Sequence, residues 1–300
     1  MEQEIKKIIS INIDLFGKNP NVEKINVGFT NTIFNVNNKY IIKICTNYKN
    51  EESFKKEIYF YISNKDNNLI PKLYKYNIDK KETKYMYIIL EKIEGTSLYN
   101  IWHTLTELER ENIIKQLCEA MKLFHKNKGN KYNWQKKINN KYLELYEQAN
   151  KLKLFNIEEQ NILNNAYKKF NKYLKTDKII LIHNDLHFDN IFYNKGKIKL
   201  IDFERSMYAP IDYELDIIYR MIRKPWKYAS EETEKYINEN DYKNIMFYIE
   251  KYYPELVNIN YLYKRLAIYD IIYFIKQLIN NPIDELKKDV INAAYIVIND

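Results

Sequence analysis

Residues 181 to 192 read "LIHNDLHFDNIF": two histidines, two aspartates and two asparagines between apolar ends. They follow directly on "KIILI" (178–182), a short apolar, β-branched run that reads as a buried strand. The polar residues therefore sit on the connection that leaves that strand. A polar turn would use Asp185 and Asn190 as turn caps. A catalytic loop would use them for chemistry, and the next segment favours it. Twelve residues after Asn190, the apolar stretch "KLIDFE" (199–204) delivers a second acid, Asp202. Phosphoryl transfer needs a carboxylate to orient the attacking hydroxyl and take its proton, and oxygen ligands to hold Mg²⁺ on nucleotide phosphates. An aspartate, an amide five residues on, and a second aspartate on the next strand supply such a set on two adjacent connections. The amide oxygen of Asn190 can ligate a metal without adding repulsive charge.

Three hundred residues with 46% hydrophobic and 15% aromatic content give a packed globular chain with a sizeable core. The opening "MEQEIKKIIS" is acidic and lacks a long apolar stretch, so no secretory signal is expected. No run approaches the ~18 apolar residues of a membrane span. Cys45 and Cys118 are the two cysteines, far apart and without metal-ligand spacing, which suits a reducing cytoplasm. The net charge of +8 points toward nucleic acid only if it clusters. Here the lysines are spread along the chain and alternate with acids, and A/T-rich codons account for the load of Lys, Asn, Ile and Tyr. Neither a nucleic-acid nor a membrane partner is expected.

The period of the pattern changes along the chain. Residues 24 to 45, "KINVGFTNTIFNVNNKYIIKIC", read as a strand–turn–strand–turn–strand meander. "NEESFKKEIYFYISN" (50–64) has helical spacing, with Phe54, Ile58 and Tyr61 on one face. "LIPKLYKYNI" and "KYMYIILEKI" read as two more strands. From about residue 98 the pattern is mostly helical: "LTELERENIIKQLCEAMKLFHK", then 140 to 175, then nearly everything after 212. Residues 178 to 203 form a second short β patch. There are no internal repeats and no Gly/Pro/Ser linker.

"HNDLHFDN" followed by "IDFE" resembles the catalytic and metal-binding motifs of the aminoglycoside phosphotransferase family, with choline/ethanolamine and macrolide kinases carrying similar motifs. The resemblance covers about residues 25 to 220. It implies an α+β, bilobal protein-kinase-like fold: a small β-rich nucleotide-binding lobe over 1–92 and a mostly helical lobe over 93–300 with the catalytic loop and acceptor site. It implies Asp185 as the catalytic aspartate, Asn190 and Asp202 as Mg²⁺ ligands, and His183 as a structural brace. It also implies a strand lysine paired with a helix glutamate to hold the α/β-phosphates. Lys43 in "YIIKIC" and Glu57 fourteen residues later fit that order. An unpaired ammonium among those apolar neighbours would be costly.

The expected phosphate-covering loop, "VGFTNTIFNV", has one glycine, Gly28, followed by Thr30, Asn31 and Thr32. It resembles the family's version, in which hydroxyl and amide side chains replace later glycines; an ordinary hairpin turn reads equally well. "ILEKIEGTSL" (89–98) sits at the family's hinge, where adenine would bond to backbone groups around Glu91 and Ile93, and Gly95 suits the turn that follows. After the metal strand, Glu214 occupies the position of the family's loop-bracing aspartate, with Asp212 and Asp216 on either side. Which acid braces is left open, and all three also suit helix N-termini.

The expected reaction is transfer of the γ-phosphate of ATP or GTP to a small-molecule hydroxyl, with Mg²⁺. Residues 202 to 255 hold twelve acids and eight bases inside a basic chain, which suits an aminoglycoside-like cationic acceptor. Tyr208, Trp226 and Tyr228 could stack on sugars or face a quaternary ammonium; a solvated acidic face with core aromatics is the plain alternative. A choline-type or other metabolic alcohol kinase is the alternative enzyme. A catalytically inactive kinase-like binding protein is the alternative of another class, and the set Lys43, Asp185, Asn190 and Asp202 speaks against it.

Overall fold

β-branched and aromatic residues of the first hundred positions assemble a single antiparallel sheet. In this computed structural model, which describes residues 1–25, 31–176, 178–229 and 231–299, its strands are β1 (Val22–Ile25), β2 (Thr32–Val36), β3 (Tyr40–Cys45), β4 (Leu73–Asn77) and β5 (Met86–Glu91). The spatial order is β1-β2-β3-β5-β4, every neighbour antiparallel. Asn37 and Asn38 turn β2 into β3 with φ of 55° and 54°, a region asparagine tolerates, and the Lys39 N–H closes the turn on the Val36 carbonyl at 3.1 Å. Later strands are short: β6 (Thr96–Ser97), β7 (Ile180–Ile182), β8 (Ile191–Asn194), β9 (Lys197–Leu200) and β10 (Met207–Ala209). β6, β8 and β9 make a three-stranded sheet, and β7 pairs with β10.

The longer helices are α1 (Glu2–Ile11), α2 (Glu51–Ser63), α3 (Glu107–Phe124), α4 (Trp134–Lys151), α5 (Ile157–Tyr167), α6 (Leu215–Arg223), α7 (Ile245–Tyr252), α8 (Leu262–Asn280) and α9 (Asp284–Ile298). The architecture is the expected α+β one, β-rich first and helical after. β6 and β10 fall outside the expected strands, because two or three residues cannot display a period of two.

The chain forms two compact units, Met1–Phe124 with His187–Met207, and His125–Leu186 with Tyr208–Asp300. In the first, one sheet face contributes Phe34, Val36, Tyr40, Ile42, Ile44, Tyr87 and Ile89 to a core completed by Ile5 and Ile8 of α1 and by Phe16. Fully burying an isoleucine side chain stabilises by about 1.5–3 kcal/mol, so α1 is anchored by few residues. α2 buries Phe54, Ile58 and Tyr61 as its spacing predicts, and Glu57 and Phe60 as well. In the second unit, α8 packs against α4, α6 and α9. It buries residues all round its circumference, including Arg265 and Asp270. Charges there must be paired. Among the described residues, no helix is long and apolar enough to cross a membrane.

Candidate active site

The alternation of β3 sends Ile42 and Ile44 into the core and Lys43 to the other face. There its ammonium donates to Glu57 Oε1 at 2.7 Å and to Asp202 Oδ1 at 3.2 Å. Glu57 is fully buried, the Lys43 side chain is 12% exposed and the Asp202 side chain 36%. Burial works against the lysine's charge, but the two carboxylates outweigh it and raise the Lys43 pKa, so it stays a cation. Three residues read from separate stretches thus meet in one cluster.

Asp202 reaches that cluster from the end of the β8–β9 hairpin. Ile191 lies opposite Leu200, and one step further out the Ile201 N–H donates to the Asn190 carbonyl at 3.0 Å. The hairpin's open end therefore carries both expected metal ligands. Asp202 has φ +65°, sparsely populated for a residue other than glycine; such strain gathers at functional positions. The Asn190 amide nitrogen lies 3.2 Å from His187 Nε2. One carboxylate and one amide oxygen suit Mg²⁺, which takes few protein oxygens and completes its shell with phosphate and water. Among the described residues, no group of three or more His, Cys, Asp or Glu is arranged to hold a metal by itself.

Gly28 and Thr30 lie outside the described residues. Asn31 precedes β2, its amide 3.5 Å from Glu204 Oε2, and Thr32 is the first residue of β2, opposite Ile44. Glu91 ends β5. Its N–H is committed to the Lys72 carbonyl at 2.8 Å, and its carboxylate accepts from the Lys72 N–H at 3.0 Å and from Lys199 at 2.6 Å. Of the Glu91 backbone, the carbonyl is what a base could use. Ile93 stands two residues beyond the end of β5, after Lys92.

Asp185 belongs to the second unit, where it is 8% exposed. The loop that presents it is held by Glu214. One Glu214 oxygen accepts the Asn184 N–H at 2.9 Å; the other accepts the His183 N–H at 2.8 Å and lies 3.1 Å from His125 Nε2. His125 Nδ1 in turn lies 3.0 Å from the Tyr253 hydroxyl. Burial alone would raise the Glu214 carboxyl, but the hydrogen bond and charge of His125 and the loop amides outweigh it and hold the pKa below the ordinary value. Glu214 is thus the bracing acid. Asp212 pairs instead with Arg265, and Asp216 with Arg220. His125, Tyr253 and Arg265 carried no signal in the sequence: each sits in a helical or loop stretch with no motif around it.

Of the three aromatics expected near an acceptor, Tyr208 is 42% exposed, its ring seated over Gly129, where a Cβ would come within 2.5 Å of it. Trp226 and Tyr228 are half-buried, and burial pushes the Tyr228 phenol up to about 12.

The model of the phosphotransferase enzyme family matches residues 21–240. No curated protein matches the chain in sequence. Solved structures do match in fold. The ADP-bound aminoglycoside phosphotransferase APH(2'')-Ib is 17% identical, with 98% of each chain covered and a TM-score of 0.67. The streptomycin–ATP complex of APH(2'')-IIa is 16% identical over 97% of this chain and 98% of that one, TM-score 0.66. A GDP complex of an aminoglycoside 2'-phosphotransferase-IIIa variant is 15% identical over 99% and 95%, TM-score 0.66. With the family model spanning most of its length, this chain belongs to the phosphotransferase enzyme family.

Proposed function

We propose that the chain moves the γ-phosphate of ATP or GTP to a hydroxyl of a small cationic acceptor of the aminoglycoside kind. The observation that carries this reading is the Lys43 ammonium shared between Glu57 at 2.7 Å and Asp202 at 3.2 Å. A cation fixed this way beside a metal-binding acid is what nucleotide phosphates require. In this reading residues 1–92 hold the nucleotide and 93–300 carry the catalytic loop and the acceptor site. Gly28, Thr30, Asn31 and Thr32 cover the phosphates, and backbone groups at Glu91 and Ile93 hold the base. Asn190 and Asp202 would hold Mg²⁺, which supplies charge neutralisation on the phosphates. Asp185 orients the acceptor hydroxyl and takes its proton.

Charge supports a cationic acceptor. Asp212, Glu214 and Asp216 are each occupied by an internal partner, so they contribute nothing outward. "EETEKYINEND" (231–241) holds five acids and one lysine, and Glu231, Glu232, Glu234 and Glu239 are exposed. Aminoglycosides occupy such proteins as the streptomycin-bound structure above. The setting we propose is cytoplasmic, with modification of an antibiotic as the outcome.

The test is phosphate transfer from ATP and from GTP, with Mg²⁺, across aminoglycosides, macrolides, choline and simple sugars. Turnover with an aminoglycoside is expected. Turnover with choline alone would replace the acceptor assignment by that of a metabolic alcohol kinase. Asp185→Asn should lower kcat by ~10²–10⁴-fold, the usual worth of a positioned acid–base group, while nucleotide binding persists. Asp189→Asn, in the same loop, should retain far more activity. Equal loss in both would remove Asp185 from its role.

A further inference from the structure

Asp212 and Glu214 share one short turn, Ile211–Glu214, and face different partners. Glu214 grips the amides of His183 and Asn184, immediately before Asp185. Asp212 is gripped in its turn. Arg265 donates from Nε to one Asp212 oxygen and from Nη2 to the other, both at 2.7 Å. The Tyr269 hydroxyl donates to Asp212 Oδ2 at 2.7 Å and receives the Trp134 indole N–H at 3.1 Å. The third guanidinium arm, Nη1, donates to the carbonyls of Tyr173 at 2.9 Å and Lys175 at 3.2 Å. Those residues stand just ahead of β7, the strand that runs into His183. A single side chain therefore joins the approach to the catalytic strand with the turn that holds its exit.

Both members of the ion pair are 2% exposed. A buried pair of this kind is seldom worth more in stability than apolar residues of the same volume; what it adds here is fixed geometry, through the four hydrogen bonds that Arg265 donates. The planar fork matters here: it fixes both Asp212 oxygens and still has an arm for backbone, which an ammonium cannot reproduce. We propose that Arg265 is a positioning residue for phosphoryl transfer, acting through Asp212 and Glu214 on the backbone that presents Asp185. The proposal rests on the reading of Asp185 as the proton acceptor.

The experiment compares Arg265→Gln, Arg265→Lys and the double variant Arg265→Gln/Asp212→Asn with the wild type. Melting temperature is measured, together with kcat and KM for Mg·ATP hydrolysis with water as acceptor. Arg265→Gln should lower kcat by about 10- to 100-fold, the effect of misplacing a reacting group by ~1 Å, with KM for ATP unchanged. The double variant removes the stranded buried carboxylate, so its melting temperature should recover while kcat stays low. Arg265→Lys keeps the charge but not the fork, so it should lower the melting temperature less than Arg265→Gln and lose part of kcat. Recovery of kcat together with melting temperature in the double variant would mean a merely structural role and overturn the proposal. Should Arg265→Gln fail to fold, an undiminished kcat in Arg265→Lys overturns it equally. Asp185→Asn separates the two readings. If its hydrolysis collapses while the Arg265 variants are unimpaired, the positioning role alone falls. If it hydrolyses like wild type, the proton-acceptor reading falls and takes the positioning role with it.

Discussion

The two charged clusters of this molecule are built on opposite plans. Around Lys43, one cation is divided between two acids, one of them half open to solvent. The second Glu57 oxygen is buried without a hydrogen-bond partner among the described residues. Around Glu214, one anion receives two backbone amides and a histidine, and both oxygens are occupied. In the function proposed above, the first cluster would hold charge in readiness for a ligand; the second uses charge to fix backbone. Incomplete satisfaction of buried polar groups costs free energy, and sites that must accept a ligand carry that cost.

The contrast can be broken most forcefully at Lys43. Lys43→Met strands the fully buried Glu57 carboxylate and should destabilise the protein by about 3–5 kcal/mol, the usual effect of removing one member of a buried ion pair. Adding Glu57→Leu should recover most of that stability in chemical denaturation without recovering nucleotide affinity. Full recovery of both would mean the pair serves packing alone. Next comes Asp202. Asp202→Ala should lower turnover by at least about 10²-fold, comparable to losing one preorganised electrostatic group. Asp202→Asn should lose nearly as much activity yet unfold at a higher temperature than the alanine variant, because asparagine accepts positive φ. Equal melting temperatures would show that the backbone there carries no strain.

The smallest expected effect lies at Glu214. A carboxyl whose folded pKa is depressed adds stability above its unfolded value, and that contribution disappears as pH falls through the folded one. The stability gap between wild type and Glu214→Gln should therefore be widest above the ordinary glutamate value of 4.5 and shrink on acidification. At neutral pH a gap of about 1–3 kcal/mol is expected for amides left partly unsatisfied. A gap that does not vary with pH would show that Glu214 is not ionised in the fold.

What could be read from sequence follows the same division. The meeting of Lys43, Glu57 and Asp202 is legible because strand and helix order restricts spacing; Asp185 and Asn190 stand as proposals, drawn from the residue types phosphoryl transfer would need. The sheet and α2 are legible because half-buried elements show their period. Glu214 could be placed but not told apart from Asp212 and Asp216, since three acids within five residues look alike until their partners are known. Those partners, His125 and Arg265, lie 89 and 53 positions away from the acids they meet. No local pattern encodes a pairing over such distances. α1 shows its period too, with Ile5, Ile8 and Ile9 at i, i+3 and i+4 packed on the core.

The first compact unit is discontinuous, its sheet and α2 lying within Met1–Phe124 and its last piece within His187–Met207. During synthesis at roughly 5–20 residues per second, the second piece follows the first by an interval on the order of seconds. A ribosome-bound chain can thus lay down the sheet and bring Lys43 to Glu57 while Asn190 and Asp202 do not yet exist. Through that interval the lysine has a single carboxylate beside it, and the acid expected to hold metal is the final piece delivered. In the function proposed above, nascent or prematurely terminated chains would accordingly lack the residues assigned to a metal–nucleotide, so that the order of translation itself would delay when the molecule could first bind a phosphate donor.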